Sequence, residues 1–453
     1  MEKIKSISLY IFLGLLAYMP LHIFISTWIG SSFGVLAFAK IAKDVVLLIG
    51  FTLVLLSAYY IGKLNAVIQD KLVWAIAAYG VLTVLLAIIK PTDQDAEILG
   101  LVYNLRFLLF FVYGLILARL YDSNNLWQRA IRVVLGVSVI VMVFGIIQYT
   151  ILPDTALTHV GYSRANGVLP VFFIDDKPDL ERVMSTMRDP NSFGSYLVII
   201  LSFALAYLLA YKNKYLRQVT VGILALGILS LWFSFSRSAW IGALLAAIIV
   251  GAVSFKKKKG FRVNKKLLTI GAGCVAVMVL AVYPFRNTYL VQNVIFHADE
   301  STTLEDPNEL RLRFYKESLR AGVETPLGHG PGTAGLASIR NTQEGVVLNE
   351  NYYLQLLHET GFIGLLLFLV IVLIVALRLY GKAGVHPGAT ALLAAFAGLA
   401  VTNFLVHIWS NEAVAYTFWG LAGLSLYQPQ APRLLFRRAH GQHDAPQTPA
   451  TSI

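Results

Sequence analysis

The sequence predicts an all-α polytopic membrane protein with about twelve transmembrane helices and a large extracytoplasmic loop between the ninth and tenth spans. Three observations carry that prediction. Of 453 residues, 57% are hydrophobic and only 14% charged, whereas a soluble chain is about 45–50% apolar and about 25% charged. Apolar runs long enough to cross a hydrocarbon core, about 20 residues each, recur along the chain between charged or Gly/Pro/Asn-rich breaks. The charges segregate: if the N-terminus is cytoplasmic, the inner loops hold 22 of the 37 basic residues and four of the 25 acids. This composition excludes a soluble globular enzyme and a disordered protein.

In chain order the spans fall at roughly 9–29, 44–62, 72–89, 98–120, 131–152, 190–211, 218–235, 238–255, 267–284, 360–379, 388–407 and 411–427, with ends uncertain by about 2–4 residues. The first is too long, and too weakly followed by small residues, for a cleaved signal peptide. Residues 1–284 thus form spans one to nine, including an outer loop at about 153–189; 285–359 form the large outer loop; 360–427 form spans ten to twelve; and 428–453 form a cytoplasmic tail. The positive-inside rule places both termini in the cytoplasm and the two long loops outside. The formal charge of +12 is therefore a record of topology rather than a nucleic-acid-binding surface, and the run Lys256 to Lys259 reads the same way. The single cysteine, Cys274, lies in an apolar run, so no internal disulfide is expected.

Long outer loops are where function concentrates. Four segments there carry chemistry. In the first, Arg182 and Arg188 precede Asp189-Pro190-Asn191, a good helix start; the arginines either snorkel to headgroups or hold phosphate oxygens. The second, Ser236-Arg237, lies in a very tight hairpin between two spans, where a cation needs an anionic partner, a carboxylate or a substrate phosphate. In the third, Asn308 to Arg320 reads as an amphipathic helix, followed by Pro326 to Gly332 around His329, either a plain turn or a phosphate cradle. The fourth, Asn349 to Gly364, runs into span ten; if helical it brings Glu350, Tyr353 and Leu357 or His358 near one another, where a carboxylate or imidazole serves as a base or merely decorates a helix start. Asp175-Asp176 is the nearest approach to an acidic metal pair, and no metal is expected. Within the spans, Arg106 is the notable cation, with Asp44 its most plausible partner by depth.

Taken in order, these motifs resemble the bacterial O-antigen ligase and oligosaccharide-repeat polymerase family: an arginine ahead of Pro190-Asn191, Ser236-Arg237, Arg311 with Tyr315, Pro326 to Gly332, and Asn351 to Gly364. The resemblance covers roughly residues 180–365. It implies a membrane glycosyltransferase in the bacterial cytoplasmic membrane, active on its extracytoplasmic face, that moves a glycan from undecaprenyl-diphosphate to an acceptor hydroxyl without a metal cofactor. Its expected partners are the lipid-linked oligosaccharide, the bilayer and other polysaccharide-assembly membrane proteins. It also implies that Arg182, Arg188, Arg237 and Arg311 bind the diphosphate and that Glu350, with Arg237 and Arg311, is catalytic; Tyr353, His358 and His329 are the acceptor-side candidates. Ligases that join glycan to lipid A–core typically carry His where this chain has Glu350, which tilts the reading toward a polymerase. A lipid-linked-sugar transporter is the rival from another class, weakened by spans poor in polar residues and by the absence of a visible repeat between the two halves. A non-catalytic envelope scaffold is the third reading.

Overall fold

A computed structural model describes residues 2–121, 123–174, 177–256, 307–343, 345–347 and 350–426. The expected ninth span, Cys274, the first part of the large loop and the tail after 428 lie outside these residues. The described chain is almost wholly helical: α1 (Glu2–Tyr18), α2 (His22–Phe33), α3 (Leu36–Tyr60), α4 (Leu64–Ile68), α5 (Lys71–Ile89), α6 (Gln94–Leu120), α7 (Ser123–Thr150), α8 (Pro190–Ala210), α9 (Lys214–Phe233), α10 (Arg237–Lys256), α11 (Pro307–Glu324), α12 (Tyr352–Lys382), α13 (Pro387–Thr402) and α14 (Glu412–Leu426). Among the described residues, nine helices are long and apolar enough to cross a membrane, α1 and α2 counting as one.

The differences from the expected spans have local causes. The first span is broken at Met19–Leu21, where Pro20 cannot donate to the helix ladder; the hydroxyl of Thr186 donates to its carbonyl at 2.7 Å. The tenth begins earlier than expected, at Tyr352, and kinks at Gly361, whose φ of 64° suits glycine. The eleventh, of 16 residues, ends at Thr402, because residues 403–411 leave the helix to form a connection, and the twelfth, of 15 residues, lies within its expected bounds. The loop at about 153–189, expected on the outer side, also contains an unanticipated antiparallel hairpin, β1 (Phe172–Ile174) with β2 (Lys177–Arg182), in which Phe172 pairs with Arg182 and Phe173 with Glu181.

Most of the buried side chains form one cluster to which α6, α8 and α14 contribute nearly continuous faces. Close helix approach rests on small residues: a Cβ on Gly423 of α14 would lie 2.2 Å from the Phe111 carbonyl of α6. By contrast α9 leaves Val219, Val221, Ile228, Leu229 and Trp232 exposed, as a lipid-facing helix must.

The two ends of the bundle differ. At one, Asp70 caps α5 through the Leu72 amide at 3.0 Å and gathers cations from two other helices. Arg378 of α12 binds it bidentately at 2.9 and 2.6 Å, and Arg119 of α6 donates at 3.1 Å. The other end, the loop end, holds the hairpin, the starts of α6, α8, α10 and α12, and the 403–411 connection. Asp70→Asn removes a shared counter-charge from two guanidiniums. It is expected to cost roughly 3 kcal/mol, the low end for breaking a buried pair, because the Arg378 side chain is 34% exposed. Thermal unfolding in detergent reads this, and a variant melting with the wild type would show that the clamp contributes nothing.

Candidate functional site

The start of α8 organises the loop end. Asp189 caps the helix in extended backbone, accepting from the Ser192 amide at 2.8 Å and the Ser192 hydroxyl at 2.6 Å, and Pro190 occupies the first turn. Capping therefore accounts for Asp189. Asn191 does something else: its Oδ1 accepts from Arg182 Nη2 at 3.0 Å and from the Ser236 hydroxyl at 3.0 Å. One side-chain carbonyl thus ties the last residue of β2 to the turn between α9 and α10. The Val183 amide donates to the Phe233 carbonyl at 3.0 Å and reinforces the link.

That turn is tight because Phe235 adopts a left-handed φ of 46°, uncommon for a side chain of its size. Trp240 Nε1 reaches back to the Leu231 carbonyl at 3.0 Å and holds it. Arg237 is consequently the first residue of α10, half-buried, at a helix start directly beside that of α8. Two helix N-termini, with the positive ends of their dipoles, are brought together, and Arg182 and Arg237 accompany them.

Arg188 lies on the other side of the α8 start. With Tyr103, Asp189, His407, Ser410 and Glu412 it lines a polar cavity of about 40 Å³. Arg188 Nε, His407 Nδ1 and Ser410 Oγ are buried without a hydrogen-bond partner among the described residues. Beneath them runs an ion network. Arg106 meets Glu412 at 3.0 Å and donates to the Ser410 carbonyl at 2.9 Å, with its guanidinium 4.7 Å from the Tyr103 ring centre. Asp44, the partner chosen by depth, forms an ion pair with Arg106 at 3.9 Å; Glu412 is the closer partner, and Asp44 also pairs with Lys43 at 3.0 Å.

The third wall is the start of α12. Asn351 caps it through the amides of Tyr353 and Leu354 and donates to the Phe404 carbonyl at 3.1 Å. Glu350, just before the cap, is half-buried in a left-handed conformation, φ 43°. Tyr353 donates to the Ala400 carbonyl at 3.2 Å. His358 is stacked on His329, ring centres 4.3 Å apart. Tyr353, His358 and His329 are thus engaged in packing against α13 and the Pro326–Gly332 turn.

That turn uses its amides internally. His329 and Gly330 donate to the carbonyls of His358 and Glu359 at 2.8 and 3.0 Å, and Gly332 donates to the Glu359 carboxylate at 3.0 Å. Asn104 of α6 donates to the other carboxylate oxygen at 2.7 Å. Gly332 has φ 88°, and a Cβ there would lie 2.2 Å from the Ala96 carbonyl. The glycines serve a wedge between α6 and α12, so the plain-turn reading describes this segment. Arg311 is carried on α11, but its side chain, like Asp175-Asp176, lies outside the described residues. Among the described residues no cluster of three His, Cys, Asp or Glu side chains could hold a metal.

Sequence reasoning missed Glu412, Ser410 and His407. Their signal was faint: a His, a Ser and an Asn-Glu pair interrupting two apolar runs, which hydropathy counts as span ends.

Residues 222–369 match the family model described as O-antigen ligase, a segment that includes Ser236-Arg237, Arg311, the Pro326–Gly332 turn and Glu350. No curated protein matches the chain.

In the hairpin, burial and then the charge of Asp154 push the Glu181 carboxyl up to about 7. A raised folded-state pKa contributes stability below the ordinary carboxylate range and loses it as pH rises through about 7. Glu181→Gln is therefore expected to raise the melting temperature relative to wild type near pH 8, with the gain shrinking toward pH 5. Equal gains at both pH values would contradict this assignment.

Proposed function

From the O-antigen ligase family segment at residues 222–369, we propose that this protein is a membrane glycosyltransferase that moves a glycan from undecaprenyl-diphosphate to an acceptor hydroxyl, and that it polymerises lipid-linked repeats. The observation that carries the reading is the junction of the α8 and α10 starts through Asn191, which gathers Arg182 and Arg237 at two helix N-termini with Arg188 alongside. Helix N-termini and guanidiniums favour the same ligand, a phosphate anion.

The chemistry follows from that charge. The acceptor oxygen attacks the anomeric carbon, the bond from that carbon to phosphate breaks, and the electron pair leaves on the diphosphate. Donors fixed in advance stabilise this developing charge, and arginine suits the task because its planar fork binds phosphate bidentately. Arg182 and Arg237 take that role, and Arg311 of α11 is the further candidate from the motif. Glu350 supplies the acceptor-side negative charge that activates the hydroxyl. An apolar groove of about 510 Å³ between α3, α5 and α6, lined by Leu47, Phe51, Ile76, Leu105 and Val112 and roofed by Asp44 and Arg106, offers room for lipid tail.

The loop end faces outside in this reading. The opposite end carries Lys63, Lys71, Lys212, Lys214, Arg217, Arg378 and Lys382, the basic excess of a cytoplasmic face. Polymerisation is favoured by Glu350 standing where lipid A–core ligases typically have histidine. Ligation to another acceptor is the second reading, favoured by the description of the matching family.

Purified protein in detergent, given undecaprenyl-diphosphate oligosaccharide, is expected to yield longer chains and free carrier diphosphate. Removing one preorganised donor costs about 100-fold or more in comparable sites, so Arg237→Ala and Arg182→Ala are each expected to lose turnover on that scale, and Glu350→Gln to lose turnover too. Full activity of Glu350→Gln would remove its role, and absence of product from folded wild type with a competent acceptor would defeat the transfer reading.

A further inference from the structure

The cavity beside Arg188 is too small for a diphosphate. At about 40 Å³ it holds one or two water-sized groups. Yet three of the residues that line it each bury a polar atom, Arg188 Nε, His407 Nδ1 and Ser410 Oγ, that lacks a partner among the described residues. Buried polar atoms are nearly always hydrogen-bonded in native proteins, so a cavity whose lining residues carry three orphans calls for an occupant that both donates and accepts. A hydroxyl does both. The guanidinium N–H can hold its oxygen, and an unprotonated imidazole nitrogen can take its hydrogen.

The connection that carries His407 is fastened to the start of α12. The Tyr352 amide donates to the Asn403 carbonyl at 2.9 Å, Asn351 Nδ2 donates to the Phe404 carbonyl at 3.1 Å, and the Ile408 amide donates to Asn403 Oδ1 at 3.2 Å. The Tyr315 hydroxyl of α11 also donates to the Phe404 carbonyl. These bonds place His407 in the electrostatic reach of Glu350, while the start of α8 brings Asp189 and Arg188 from the other side.

We infer that His407 receives the proton of the acceptor hydroxyl, that Arg188 holds the hydroxyl oxygen, and that Glu350 acts on the acceptor through His407. The inference rests on the transfer reading above and specifies its proton path. As the hydroxyl oxygen bonds to the anomeric carbon, its proton passes to His407 Nδ1. The electron pair of the broken bond between the anomeric carbon and the phosphate oxygen leaves with the diphosphate, and the imidazolium formed is offset by the Asp189 and Glu350 carboxylates. Every charged group facing His407 fits this scheme. Burial lowers its pKa, so it is neutral and able to accept; Asp189 and Glu350 raise it, and Arg188 lowers it. Glu412, on the cavity floor, is engaged by Arg106.

The test compares wild type, His407→Gln and Glu350→Gln in the oligosaccharide transfer assay across pH. A positioned base contributes about 100-fold or more. His407→Gln is expected to lose at least that in kcat with the donor KM unchanged, and to lose the acidic limb of the wild-type pH profile. Glu350→Gln is expected to keep that limb but move it to lower pH, because a carboxylate that raises the imidazole pKa is gone, a shift that a merely structural role would not produce. If His407→Gln turns over within a few-fold of wild type while Glu350→Gln is inactive, Glu350 is itself the base and this inference falls while the transfer reading stands. If wild type makes no product, both fall. Should His407→Gln fail to fold, judged by melting and gel filtration, Ser410→Ala tests the same cavity: a several-fold rise in acceptor KM supports the site, and an unchanged KM overturns it.

Discussion

Arg106 and Glu412 meet at 3.0 Å inside an otherwise apolar bundle, and the geometry of the loop end follows from that contact. A guanidinium buried among spans is tolerable only beside a fixed counter-charge. The pair fastens α6 to the first residue of α14. Because the same guanidinium donates to the Ser410 carbonyl, it also sets the path of the connection between α13 and α14. Lys43 and Asp44 close the network from α3. The polar cavity is what remains between this charged floor and Arg188 at the start of α8, and His407 stands in it because the connection is held at both ends.

Above that floor the arginines divide by what holds them. Arg182 is the end of a hairpin pinned to α9, and its guanidinium is oriented by Asn191. Arg237 is oriented by being the first residue of a helix, and Arg188 faces a cavity with one nitrogen still unpartnered among the described residues. A site built to receive a leaving diphosphate benefits from this arrangement, because donors fixed by the fold need little reorganisation when charge develops. The glycine-rich turn has a structural part. Its amides serve Glu359 and two α12 carbonyls, which locks the kink at Gly361 and thereby the direction in which α12 leaves the site.

Much of this was legible along the chain and some was not, for identifiable reasons. Long apolar runs declare spans because length and composition suffice, and nine of the expected twelve correspond to long apolar helices among the described residues. The early end of the eleventh span was hidden because Phe404, Leu405, Val406 and Ile408 raise local hydropathy, although Asn403 bonds Ile408 and draws these residues out of the helix. Asp189 announced its cap by residue type alone. Asn191 gave no hint that it would bind Arg182 and Ser236, since the second of these lies a full helical hairpin away. Asp44 was chosen for Arg106 by depth, which ranks candidates within spans but cannot bring forward a glutamate at the start of a distant helix.

By itself the sequence determined that the chain lives in a bilayer, roughly where its apolar helices lie along the chain, and which motifs fall between them. These properties depend on local composition and on residue-by-residue capping chemistry. The tertiary structure alone decided which charges meet, that the starts of α8 and α10 lie side by side, and that His407 shares a cavity with Arg188. Those pairings depend on which helices are neighbours in three dimensions, and among uniformly apolar spans that is settled by packing, not by hydropathy.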